Sequence, residues 1–319
     1  MGGYPNMLIG VIIAVIVAVA VLFFVVVYMI SKKVFDVAVG VAPKDKVFES
    51  NAEDAGPKKN KSANDWLAAQ PLIELRVAAK DGLSLFGRIL PAPRQTRKWV
   101  ILLHGFSGSG LKMGSYAHHF HQAGFNVLLP DMRGCGNTGG KYMGLGWLDA
   151  QDMPLWIDQI LQITPDAKIV ISGGSMGGAC TMMCTGYPLK NVVAAVEDCG
   201  YSSVWDEYAY QLKKVFGLPV FPFMYVVDAL TKKRAGFSFR EASSIDQLKQ
   251  SRIPTLFIHG TEDEFVPYYM LEENYEAAAC EKQKLAVIGA GHGLASEVNP
   301  QLYWSTVDSF IARYMGEDA

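Results

Sequence analysis

The stretch Lys168-Ile169-Val170-Ile171-Ser172-Gly173-Gly174-Ser175-Met176-Gly177-Gly178 decides the fold of this chain. Its first half is a β-branched run of strand character, and Ala179-Cys180-Thr181-Met182-Met183 reads as helix. A serine in Gly-x-Ser-x-Gly between a buried strand and a helix is the pattern of a nucleophile elbow. In so tight a turn the residues two before and two after the serine crowd each other. Gly173 and Gly177 remove that crowding and leave Ser175 exposed at a helix N-terminus. Gly-rich turns of this kind also serve packing or phosphate binding, so the reading depends on partners elsewhere in the chain.

A serine hydroxyl is a poor nucleophile until a base takes its proton, and the base needs an acid to orient it. Behind a nucleophile elbow the order is Ser, then Asp or Glu, then His. After Ser175 only His259 and His292 remain. His259 ends the apolar run Thr255-Leu256-Phe257-Ile258 and reads as a core or strand-end histidine. His292 lies in Gly289-Ala290-Gly291-His292-Gly293, a Gly-rich loop after Leu285-Ala286-Val287-Ile288, and can swing toward a serine. The acid candidate is Asp263, just past a strand in Gly260-Thr261-Glu262-Asp263-Glu264-Phe265-Val266-Pro267. Glu262 and Glu264 are close rivals and Asp198 a more distant one. The negative oxygen of an acyl-transfer intermediate needs two waiting backbone N–H groups. One is expected from Met176, the residue after the nucleophile, and the other from the loop after Leu102-Leu103.

These blocks, taken together, resemble the α/β-hydrolases of the bacterial esterase and serine-aminopeptidase-like type. The similar segments, in order, are Leu102-Leu103-His104-Gly105-Phe106, Asp131-Met132-Arg133-Gly134-Cys135-Gly136, the elbow at Ser175, the Gly-x-x-Asp-x-x-Val-Pro block and Gly-x-Gly-His-Gly. The likeness spans roughly residues 70 to 315. It implies a catalytic set of Ser175, Asp263 and His292, with Phe106 as the second oxyanion donor beside Met176. It implies no organic cofactor and no metal. His104 reads as a structural histidine, and Asp131 and Arg133 as braces for loops near the site.

The N-terminus is the compositional outlier of these 319 residues. Met7 to Ile30 is a run of 24 residues without a charge, dominated by Val, Ile, Ala, Leu and Phe. At about 1.5 Å per helical residue it crosses a hydrocarbon core of about 30 Å. It lacks the basic leader of a secretory signal and exceeds the usual apolar length of one. Lys32 and Lys33 follow at once, and the positive-inside rule then places the C-terminal side in the cytoplasm of a single-pass membrane protein. Five cysteines with no framework spacing agree with a reducing compartment. Cys180 and Cys184 share one helix face and read as core. A formal net charge of −2 with no basic stripe points away from nucleic acid.

The expected organisation is a transmembrane anchor over 1–33, a polar linker over 34–69 that detaches the catalytic unit from the bilayer, and an α/β-hydrolase domain over 70–319. Strands alternate with helices there, after a hairpin turned at Lys80-Asp81-Gly82, which predicts a mostly parallel sheet covered on both faces. Residues 199–252 break the alternation with many aromatics and are expected to form a helical cap, in part lining an apolar cleft. The expected reaction is hydrolysis of a carboxylic ester with an apolar acyl or aromatic group. Its alternatives are peptide or amide hydrolysis by the same residues, and a catalytically idle, membrane-tethered binding module. The expected partners are a small ester or short peptide and, through residues 7–30, a lipid bilayer.

Overall fold

Sequence alternation is resolved into two cores in the computed structural model, which describes residues 4–41 and 61–316. Within β3 (Lys98–Leu103), Trp99, Ile101 and Leu103 face one core while Val100 and Leu102 face the other. A sheet apolar on both sides must be covered on both, which is why its strands read as unbroken apolar runs. The sheet has eight strands in the order β1-β2-β4-β3-β5-β6-β7-β8. Strands β1 (Ile73–Ala78) and β2 (Ser84–Leu90) form the antiparallel hairpin, and β2 pairs antiparallel with β4 (Asn126–Asp131). From there the pairing is parallel through β3, β5 (Lys168–Gly174), β6 (Val192–Asp198), β7 (Thr255–Gly260) and β8 (Lys282–Val287).

The long N-terminal helix α1 runs unbroken over Tyr4–Ala38, and α2 (Lys61–Ala68) precedes the hairpin. One sheet face carries α3 (Gly114–Gln122) and α11 (Pro300–Met315). The other carries α4 (Trp147–Ile163) and α5 (Met176–Cys184). The cap follows β6 and contains α6 (Val204–Phe216), α7 (Val220–Ala235) and α8 (Ser244–Leu248). Ser203 caps α6 by accepting the Asp206 N–H at 3.0 Å, and Gly217 ends it at φ +62°, a left-handed conformation that costs glycine least. Pro219 then opens α7, so the Pro-rich junction divides the cap as its sequence implies. Helices α9 (Tyr269–Ala277) and α10 (Ala295–Val298) complete the second half.

Both ends of the expected linker differ from expectation. Val34, Phe35, Ala38 and Val39 are buried, the Met143 N–H donates to Val39 O at 2.8 Å, and Tyr208 of the cap donates to Ala38 O. Ser31 Oγ donates to Phe223 O of α7, and the Arg234 guanidinium lies over the Phe35 ring. At the other end Leu67 of α2 is fully buried. Buried residues at helical spacing (Val27, Ser31, Val34 and Ala38 form a stripe) dock α1 on the cap, so residues 34–41 belong to the folded unit. The polar run 42–60 lies outside the described residues.

Replacing Phe35, 1 % exposed, removes a side chain that fills the joint between helix and cap. Phe35→Ala should cost about 3–5 kcal/mol. Thermal unfolding in detergent checks this, and an unchanged midpoint would mean that α1 is not part of the cooperative unit.

Candidate active site

Each side chain of the candidate site follows the C-terminal end of a parallel strand, where open α/β sheets bind ligands. At the end of β5, Ser175 adopts φ 56° and ψ −122°. A Cβ on Gly173 would lie 2.4 Å from Gly177 O, and one on Gly177 only 2.0 Å from Leu103 O. The crowding read from the sequence is therefore backbone against backbone. A Cβ on Gly174 would meet Asp198 O at 3.9 Å, an ordinary van der Waals contact. Gly177→Ala should abolish folded, active protein while Gly174→Ala leaves the fold intact. Comparing yield and melting temperature of the two variants checks this.

The loops after β7 and β8 bring two further residues to the serine. His292 Nε2 is 2.8 Å from Ser175 Oγ, and His292 Nδ1 is 2.7 Å from Asp263 Oδ2. An ionised carboxylate only accepts, so Nδ1 carries the proton and Nε2 is free to accept the serine O–H. Asp263 is buried, and its Oδ1 accepts the N–H groups of Phe265 and Val266, both at 2.9 Å. Burial alone would raise its pKa. Hydrogen bonds from His259 and His292 outweigh that and hold the carboxyl down to about 2.

The rival acids are engaged elsewhere. Glu262 is exposed, and Glu264, also exposed, pairs with Lys214 of the cap. Asp198 lies under the elbow, where its carbonyl accepts the Ser175 N–H and its carboxylate accepts the Tyr116 and Tyr303 hydroxyls. His259 has a closer relation to the site than its strand-end position suggests. It is fully buried, its Nε2 lies 3.1 Å from Asp263 Oδ2 and 2.9 Å from Val266 O, and it braces the acid from below.

Phe106 and Met176 both line the cleft that reaches Ser175, Phe106 from the loop after β3 and Met176 as the first residue of α5. His104 shapes the Phe106 loop. Its Nε2 accepts the Met132 N–H at 2.9 Å, so its Nδ1 donates to Gly105 O at 2.7 Å. Asp131 and Arg133 also act as braces. Asp131 accepts the Gly110 and Asn137 N–H groups, and Arg133 is clamped between Asp152 and Asp81. Cys199, Asp263 and His292 are close enough to be considered as metal ligands. Both His292 nitrogens are already committed, and burial pushes the Cys199 thiol well up, away from the thiolate a metal needs.

The cap closes the cleft from above. Tyr210 and Lys214 of α6 donate to Glu264 O, and Gln211 Nε2 donates to Phe265 O at 2.7 Å. Among the cap aromatics, Tyr201 and Tyr208 line the cleft, Phe237 and Phe239 fill the cap's own core, and Phe221 and Tyr225 face outward. Glu207 lines the cleft as well, a carboxyl group that the sequence reading passed over. Its only signal in sequence is an acid one residue before Tyr208 on an aromatic-rich helix.

The chain resembles known proteins in sequence and in fold. The family described as serine aminopeptidase, S33, matches residues 94–215. The uncharacterized protein YqkD of Bacillus subtilis is 28% identical over 222 residues, which is 69% of this chain and 73% of that protein. An esterase of Pyrococcus furiosus superposes with a TM-score of 0.65 at 22% identity, covering 82% of this chain and 96% of the esterase. An acylaminoacyl peptidase of Pyrococcus horikoshii superposes at 0.58 with 18% identity, over 82% of this chain and 45% of the peptidase. Strand order, the elbow after β5 and these likenesses together give the chain the α/β-hydrolase fold.

Proposed function

We propose that this protein is a membrane-anchored serine hydrolase that cleaves carboxylic esters through an acyl-enzyme. The observation that carries the reading is the continuous hydrogen-bonded line from Ser175 Oγ through His292 to Asp263, with separations of 2.8 and 2.7 Å. Ser175 attacks the ester carbonyl as His292 Nε2 takes its proton. Asp263 holds the imidazole in the required tautomer and stabilises the imidazolium. The N–H groups of Phe106 and Met176 receive the oxyanion. His292 then protonates the leaving alcohol, and water clears the acyl group by the same path in reverse. Phe106, Met176, Phe265 and Val266 make the cleft wall apolar, which favours an apolar acyl or aromatic group over a charged peptide end.

The anchor is supported by length and packing. Helix α1 contains a window with mean hydropathy 3.4 and is long and apolar enough to cross a membrane, a test that a signal sequence also meets. Side chains from Met7 to Val26 are exposed, and burial against the cap starts at Val27. About 20 residues suffice for a bilayer core, so the cap meets α1 where the helix leaves the lipid. The buried residues that this segment contributes to the fold support an anchor over a cleaved leader. The exposed Phe221 and Tyr225 lie beside Phe223, the residue joined to Ser31, and suit the aromatic belt of an interface. Lys32 and Lys33, just past the apolar run, support a cytoplasmic domain through the positive-inside rule.

The test is a panel of p-nitrophenyl esters against aminoacyl-naphthylamides, run on full-length protein in detergent. Ester turnover that exceeds amide turnover by at least 100-fold is expected. Preference for the aminoacyl amides would replace esterase by peptidase. Urea-free salt washes should leave the protein in the membrane pellet and detergent should release it, because the attachment is apolar. Release by salt would remove the anchor from the account.

A further inference from the structure

Among the residues that line the cleft above Ser175, Glu207 is the one carboxyl group, and it is incompletely bonded. Glu207, in the first turn of α6, is 4 % exposed. Its Oε1 accepts from Gln211 Nε2 at 2.8 Å, one helical turn on. Its Oε2 is buried and has no hydrogen-bond partner among the described residues. The nearby cation is turned away, since Lys214 Nζ is spent on Glu264. Burying a carboxyl with an unmade hydrogen bond is costly, and native proteins keep few such groups. An orphan that lines the cleft beside the reactive serine is accounted for if a ligand supplies the missing partner.

The chemistry of that partner follows from the surroundings. Burial first, and then the negative charge of Asp263, push the Glu207 carboxyl up to about 8, so the group is mostly an uncharged acid at neutral pH. An uncharged carboxyl offers one O–H donor and further acceptor capacity. It suits a hydroxyl or a carbonyl. An ammonium group would have to lose its water against Phe106, Met176 and Val266 while facing a neutral acid.

We propose that Glu207 is the specificity-determining residue of a polar subsite, and that the substrate carries an uncharged oxygen function, a hydroxyl or carbonyl, which hydrogen-bonds Glu207 Oε2 when the ester sits on Ser175. The natural substrate class is then an oxygenated acyl ester in place of a plain alkanoyl ester. The inference rests on the serine-hydrolase reading and adds the substrate class to it. A site built to hydrogen-bond a substrate group discriminates strongly against the analogue that lacks it, because its own polar atom is left unpaired.

The experiment compares kcat/KM for p-nitrophenyl esters of equal chain length with and without a hydroxyl, such as 3-hydroxybutanoyl against butanoyl and 6-hydroxyhexanoyl against hexanoyl. Wild type should prefer at least one hydroxyacyl ester by about tenfold or more. Glu207→Leu should abolish that preference and raise turnover of the plain ester, since an orphaned polar atom gives way to an apolar wall. Glu207→Gln, similar in size and still hydrogen-bonding, should keep part of the preference. No preference in wild type overturns the proposal, whether or not the Leu variant folds. So does a preference that survives Glu207→Leu, or one directed at an α-amino acyl ester in place of the hydroxyacyl ester. Labelling of wild-type Ser175 by a fluorophosphonate separates the two levels: a labelled enzyme without the preference loses only the subsite, and an unlabelled one loses the serine-hydrolase reading itself.

Discussion

Ser175→Ala should leave the protein folded and lower ester turnover by about five to six orders of magnitude, the scale on which nucleophile knockouts fall in enzymes whose triad acts as a unit. The fold is expected to survive because Ser175 is held through its backbone. Its N–H donates to Asp198 O and its carbonyl accepts the Ala179 N–H, and alanine keeps both bonds. The left-handed φ of 56° is imposed by Gly173 and Gly177 packing on either side. The measurement is kcat/KM on the best ester of the panel, beside a melting curve. Activity within tenfold of wild type would mean that the line of hydrogen bonds from Oγ does not carry the chemistry.

Asp263→Asn should lower the rate about 10⁴-fold, by analogy with triads in which the acid fixes the imidazole tautomer. The amide presents a donor where His292 Nδ1–H needs an acceptor. The same change has a signature in stability. The Asp263 carboxyl is depressed to about 2 from an ordinary value of 3.8. A depressed carboxylate contributes stability that is fully present above pH 3.8 and is lost as pH falls through about 2. That contribution is on the order of 2 kcal/mol. The wild-type advantage over Asp263→Asn in denaturant melts should therefore shrink across that acid window. If Asp198→Asn were instead the damaging change for catalysis, the acid assignment would be wrong, although Asp198 lies under the serine and bonds two tyrosines.

Sheet, elbow and loops were readable in the sequence for a physical reason. Parallel strands buried on both faces must be apolar throughout, and the steric demand at Ser175 leaves only glycine at positions 173 and 177. The Gly-rich loop around His292 and the Asp263 block sit where strand ends must place them. What escaped was what depends on three-dimensional company. His259 reads as core because it ends an apolar strand, and only the return of the β7 loop sets Asp263 above it. Glu207 carries no signal of its own in the sequence, and only the folded cap brings that helix turn over the cleft. The N-terminal run is apolar from Met7 to Ile30, so hydropathy alone assigns all of it to lipid and ends the domain at the linker. The stripe from Val27 to Ala38 shows its second use only once α7 lies against it. Helix α1 thus packs as a structural part of the cap, and removing residues 1–42 is expected to uncover Phe223, Met224 and Tyr208 in place of freeing a soluble domain.

The measurement closest to the central claim is covalent labelling of full-length protein by a fluorophosphonate, mapped by peptide mass. The account predicts one labelled residue, Ser175, with labelling lost in His292→Ala because the hydroxyl then has no base at 2.8 Å. Absence of labelling in wild type, labelling at another serine, or undiminished labelling in His292→Ala would contradict it.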